Sequence, residues 1–202
     1  MSDRAVSKDT IWAIAITGLM IGITAVMSFT PLGSIILPMV TLTVAFLPAI
    51  ITTIAVGFWQ GLLVAGIAGI FSMIRAFYVV TLFAPFAQNP LISVFPRMMI
   101  AVTVFLVFRA LSKTKLPKMA VFGISAAVGS ITNTVGFLGM IWLLRGRDIY
   151  EVAVGQGHNS VWAMFATIIT TNAALEVVGN TIIATTVIMA LYRAKLMKAQ
   201  KI

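Results

Sequence analysis

QNPLISVFPRMMI, residues 88–100, decides how this chain is read. It opens polar at Gln88 and Asn89, turns apolar, and then sets Pro96 and Arg97 side by side within a hydrophobic run. The run continues as AVTVFLVF to residue 108, which approaches the ~20 apolar residues that a bilayer core requires. Inside such a span an arginine costs at least ~2.5–3.5 kcal/mol at the centre. Arg97 lies about one turn into a helix expected over residues 93–112, so its end of the span relieves part of that cost. Two roles stay open for it. A guanidinium matches a carboxylate in a two-point fork, so Arg97 suits an anionic ligand group. It also suits snorkelling to headgroups or pairing with an acid.

The rest of the chain supports a lipid setting. Its 202 residues are 60% hydrophobic and only 9% charged, against about a quarter charged in a soluble domain. The net charge of +9 does not point to nucleic acid, because the basic residues flank apolar runs, as they do around membrane helices. There is no cysteine, one histidine and five acids, so no metal site and no cofactor is expected. No phosphate-binding G-x-x-x-x-G-K-[ST] loop, H-E-x-x-H or G-x-S-x-G is present, so the chain is expected not to be an enzyme.

Six transmembrane helices are expected, at about 10–29, 40–56, 58–75, 93–112, 118–144 and 160–193. They form one all-α membrane domain over residues 1–202, with short tails 1–9 and 194–202. Thr10 to Phe29 is followed by no A-x-A-like site and is read as a retained helix. The longer connections, 30–39, 76–92 and 145–159, fall on one side. Ten Lys and Arg, among them Arg4, Lys8, Lys198 and Lys201, fall on the side of the termini, against Arg75, Arg145 and Arg147 on the other. That bias makes both termini cytoplasmic and turns the longer connections outward, where their apolar character suits folding over a ligand as well as packing on helix ends.

The sixth span carries Asn172, Glu176 and Asn180 at i, i+4, i+8, hence on one helix face. A polar stripe facing lipid would be costly, so it faces the bundle. Asn172 is expected in a ligand site, Glu176 at its floor, and Asn180 as a bond between helices. In the fifth span Asn133 offers a donor and an acceptor near mid-depth, for a ligand or for a neighbouring helix. Gln88 and Asn89 can meet a ligand or cap the fourth helix. His158 and Trp162 read as membrane-edge anchors. In the first span Ala15, Gly18, Gly22 and Ala25 share a face, a small-xxx-small pattern that lets another helix come close, within this chain or from a partner.

Taken in order, four segments resemble a known family. FLPAIITTIAVGFWQG (46–61), NPLISVFPR (89–97), GSITNTVGFLGMIWLLRG (129–146) and NAALEVVGN (172–180) are similar to parts of the substrate-binding S component of energy-coupling factor (ECF) vitamin transporters, and the likeness covers nearly the whole chain. The resemblance implies a six-helix plasma-membrane protein that captures a vitamin from outside. It implies a transmembrane coupling protein and two ATPase subunits as partners. It implies a gate near residues 31–39, and a docking face on the first helix at Ala15, Gly18, Gly22 and Ala25. The PR and SITN segments look most like pantothenate-type members. Arg97 would then take the carboxylate, while Asn133, Asn172, Glu176 and Gln88, with Asn89 beside it, would line the site. S components for cobalamin, riboflavin or hydroxymethylpyrimidine remain alternatives. Apart from the resemblance, the residues also fit a proton-coupled carrier using Glu176, or a membrane scaffold.

Overall fold

The structure is a computed structural model that describes residues 8–36 and 41–197. Arg4, Lys198 and Lys201, and Pro38 of the expected gate, lie outside these residues. Helix α1 (Lys8–Phe29) buries Thr17, Met20, Thr24 and Ser28. Its inward face is thus largely polar, yet Thr17 and Thr24 donate their hydroxyls to the Ala13 and Met20 carbonyls at 2.6 and 2.7 Å. Such back-bonding one turn away lets a hydroxyl be buried at little cost.

The second expected span needs correction. Residues 40–56 are not one helix. After a 3-10 turn (Pro31–Gly33), strands β1 (Ser34–Ile36) and β2 (Thr41–Thr43) pair antiparallel, with Ser34 opposite Thr43. Only Leu47–Ala55 forms helix α2, with Pro48 in its first turn and all nine residues buried. At ~1.5 Å per residue, nine residues reach less than half of a ~30 Å bilayer core. Mean hydropathy treats a strand and a membrane helix alike, and Thr43 and Val44 have branched side chains that favour extended backbone.

Gly57 takes φ 154°, which L side chains rarely adopt, so α2 turns into α3 (Phe58–Arg75) with no loop between them. A short α4 (Ala84–Ala87) leads to α5 (Pro90–Leu111). Helix α5 starts three residues earlier than expected because Asn89 caps it, accepting from the Leu91 N–H at 2.9 Å, with Pro90 in the first turn. Helix α6 (Lys118–Gly155) runs on beyond the expected end at 144. Arg145 marks that point with a break (φ −137°, ψ 40°) and an exposed ion pair to Asp148 at 2.9 Å. Most of the expected connection 145–159 is therefore helical. The last span is α7 (Val161–Ile168), a π-turn (Ile169–Ala173) and α8 (Ala174–Arg193) in one line. Ser160 caps its start, accepting from the Ala163 N–H at 3.1 Å.

Among the described residues five helices are long and apolar enough to cross a membrane: α1, α3, α5, α6 and α7–α8. Aromatic pairs fix their directions. Phe29 meets Phe71 where α1 and α3 finish, an end called upper below. Phe58 of α3 meets Phe105 of α5, Phe108 meets Phe122 of α6, and Phe122 meets Tyr192 of α8, all at the lower end. The start of α1 and the finish of α8 thus share the lower end.

The core divides by depth. A lower cluster centres on Ile50, Ile54, Val64, Ile100, Val104, Ala126 and Ile188. An upper cluster holds Phe86, Ile92, Leu138, Ile141, Met164 and Phe165. On α5 the interval between them contains Arg97, on α6 Asn133, and on the last span Asn172 and Glu176.

Candidate functional site

That polar interval contains a narrow cleft, partly open to solvent, lined by Ser28, Thr43, Ala45, Phe46, Ala68, Ser72, Arg75 and Arg97. Its position follows from two close helix crossings. A Cβ on Gly69 of α3 would lie 2.6 Å from Val94 Cα, so only glycine lets α3 come this near α5. A Cβ on Gly136 of α6 would lie 3.1 Å from Pro96 Cβ, so α6 packs against the proline ring.

Pro96 and Arg97 act together. A proline within a helix removes the hydrogen bond to the carbonyl four residues before it, here that of Ile92. Arg97 Nη1 donates to that freed Ile92 oxygen at 3.4 Å. Helical side chains lean toward the helix N-terminus, so Arg97 reaches upward along α5. Its Nη2 donates to Ser72 Oγ at 3.0 Å, and its guanidinium carbon sits 5.1 Å from the centre of the Phe137 ring. Neutral groups on three helices therefore hold the cation beside the cleft.

Glu176 is 6% exposed and interacts electrostatically with Arg97, though no ion-pair contact joins them. Its carboxyl group also feels the backbone of Thr43. One turn below, Asn180 Nδ2 donates to the Thr43 carbonyl at 3.1 Å and to Ser130 Oγ at 3.2 Å. Asn180 thus ties one β2 residue to α6. Asn133 is buried one turn before Phe137 on the same face of α6. Asn133 Oδ1, Asn172 Oδ1 and one oxygen of Glu176 are buried with no partner among the described residues. Asn172 belongs to the π-turn, a feature found often at functional sites.

Of the expected site residues Arg97 lines the cleft and Glu176 interacts electrostatically with that arginine, whereas Asn133, Asn172 and Glu176 are not among the lining residues. Gln88 is exposed and donates to the Ala76 carbonyl at 3.3 Å, and Asn89 is engaged as the α5 cap, so neither lines the cleft. Asn180 bonds across to α6 and also to β2. His158 is half-buried; Trp162 is exposed and pairs with Trp142 at 5.4 Å. On α1, Ala15, Gly18 and Gly22 are exposed and Ala25 half-buried, and a Cβ on Gly18 or Gly22 would meet nothing within 4 Å. Arg75, Ser28 and Ser72 line the cleft but were not singled out as ligand residues. A basic residue closing a span reads as a flank, and two serines in apolar helices give no sequence signal. Among the described residues no group of three or more His, Cys, Asp or Glu could hold a metal ion.

No curated protein sequence matches the chain. The family described as "ECF transporter, substrate-specific component" matches residues 13–188, which takes in all five crossing helices almost entirely, the β pair and the cleft. This is a family of multi-pass membrane subunits that capture a small-molecule substrate within an ECF transport complex, and not of enzymes. With a match of that extent over a helical membrane bundle holding a polar cleft, the chain belongs to the substrate-specific components of ECF transporters.

Proposed function

We propose that this chain captures pantothenate at the outer face of the plasma membrane and delivers it to an ATP-driven ECF complex. The observation that carries this reading is Arg97. It is held at the cleft by Ser72, the Ile92 carbonyl and Phe137, with no carboxylate in ion-pair contact among the described residues. A guanidinium fixed in this way is preorganised for a carboxylate. Pantothenate has one carboxylate, two hydroxyls and an amide. The buried oxygens of Asn133, Asn172 and Glu176 provide acceptors for its hydroxyl and amide protons. Gln88 and Asn89 have a lesser part, at the mouth and in fixing the start of α5.

In this reading both termini are cytoplasmic and the cleft opens outward, with the segment around 31–39 and the β pair as its cover. The open small-residue face of α1, Ala15, Gly18, Gly22 and Ala25, takes the transmembrane coupling protein. Two ATPase subunits of the complex hydrolyse ATP.

The test is binding of labelled pantothenate to the purified chain in detergent, with and without Arg97→Ala. Saturable binding that falls by about 100-fold in a folded variant, close to 2.7 kcal/mol, supports cargo and clamp together. Binding unchanged in the variant removes Arg97 from the site. No binding by folded wild type removes pantothenate as cargo and calls for the other vitamins.

A further inference from the structure

We infer that Arg75 is a second ligand-contacting cation, so that the anionic group of the substrate is gripped between Arg75 of α3 and Arg97 of α5. The inference rests on the capture reading and names the charge class of the cargo. Both guanidinium groups line the same cleft, and no acid lines it with them. Ser72, which accepts from Arg97, lies three residues before Arg75 on α3 and so shares its helix face. Arg75 Nη1 donates to Ser34 Oγ at 2.7 Å, one of the five N–H donors a guanidinium carries.

Two cations facing one partly dry cleft repel each other, and the repulsion is greatest where water is scarce. An anion between them removes that repulsion and engages both forks. Glu176 interacts electrostatically with Arg97 but does not line the cleft. The site therefore favours an anionic group, such as the carboxylate of an otherwise neutral molecule, over a neutral or cationic ligand. Arg75 also joins this choice to the β pair, since its Ser34 bond ties β1 to α3.

The experiment uses the purified full chain in detergent and reads ligand-induced thermal shift and dissociation constant. The probes are three carboxylates, pantothenate, biotin and nicotinate, each beside its neutral counterpart, panthenol, biotinamide and nicotinamide. The variants are Arg75→Ala, Arg75→Lys, Arg97→Ala and Ser34→Ala, each first shown to keep its ligand-free melting transition. At least one carboxylate is expected to bind far better than its neutral counterpart. Arg75→Ala and Arg97→Ala should each weaken it by about 10- to 100-fold, as loss of a charge-assisted bond does. Arg75→Lys, which keeps charge but not the fork, should fall in between. Ser34→Ala should cost less than Arg75→Ala, because the guanidinium remains.

A carboxylate other than pantothenate that depends on both arginines would overturn the cargo and leave the clamp standing. Carboxylate binding that depends on Arg97 alone would overturn the clamp and leave the capture reading standing. Ser34→Ala as damaging as Arg75→Ala would show that Arg75 acts by holding the β pair, which overturns the inference. Preference for a neutral probe, or no response to any carboxylate, overturns it as well.

Discussion

In the lower half of the bundle Ile50, Ile54, Val104 and Ile188 are almost wholly buried, and the hydroxyls of Thr52 and Thr53 return to the Pro48 and Ala49 carbonyls at 2.6 and 2.7 Å. Higher in the bundle, Asn133, Asn172 and Glu176 bury oxygens with no partner among the described residues. The same helices make both regions. α5 passes from Ile92 through Arg97 to Ile100, and the last span from Phe165 through Glu176 to Ile188. Depth along a helix, more than which helix carries it, therefore sets what a polar residue does. Asn180 stands on the border, with its amide N–H groups engaged downward and its Oδ1 buried without a partner. Thr181 and Thr185 carry two more unpartnered hydroxyls toward the lower end, and nothing in the structure explains those.

The contrast can be broken hardest from below. A Cβ on Gly61 would lie 2.7 Å from Thr53 Cα, so Gly61→Val forces α2 away from α3. Its expected cost is about 3 kcal/mol, at the upper end for overpacking, read as a lower melting temperature in detergent. Arg97→Ala has the opposite profile. It should weaken pantothenate binding by up to about 100-fold while the ligand-free chain melts no earlier than wild type, since an arginine at membrane depth is itself costly. Early melting of that variant would mean that the polar layer holds the fold together.

Asn180→Ala tests the border. It takes the donor from the Thr43 carbonyl and should cost about 1–2 kcal/mol, the penalty for a buried acceptor left unpaired. Hydrogen exchange at β2 should quicken with it, and equal protection would place the hold on β2 elsewhere. The smallest effect belongs to α1. Gly18→Ala meets open space and should shift stability by no more than about 0.5 kcal/mol. Gly18→Leu should leave pantothenate binding intact yet weaken assembly with the coupling protein, measured by co-purification. Assembly at the wild-type level would free this face of the docking role.

Spans were legible because hydropathy and helix signals agree there. Residues 58–75 were bounded correctly by Gly57 and Arg75, and Ser160 marks the start of the last span. The break at Arg145 falls one residue after the expected end of the fifth. Residues 41–46 were misjudged because apolar, branched residues satisfy a membrane window in either backbone form. Arg97 announced itself through the cost of a charge in lipid. Arg75 did not, since an arginine at the last residue of a span looks like any interfacial flank. Its meaning arises only when α3 and α5 cross closely at Gly69 and Val94. Asn89 was left between ligand and cap by the sequence, and the 2.9 Å bond to Leu91 assigns the cap.

The π-turn at Ile169–Ala173 has a bearing on insertions and deletions. A π-turn holds one residue more than the α-helix it interrupts, and each helical residue turns the chain by about 100°. Deleting a single residue there would let the α-helix run straight through. Val161, Met164 and Phe165 would then rotate out of the upper cluster, or Asn180 would swing off Thr43. Chain length within these five residues is therefore fixed as firmly as residue type is at a core position, although no single side chain there would reveal it.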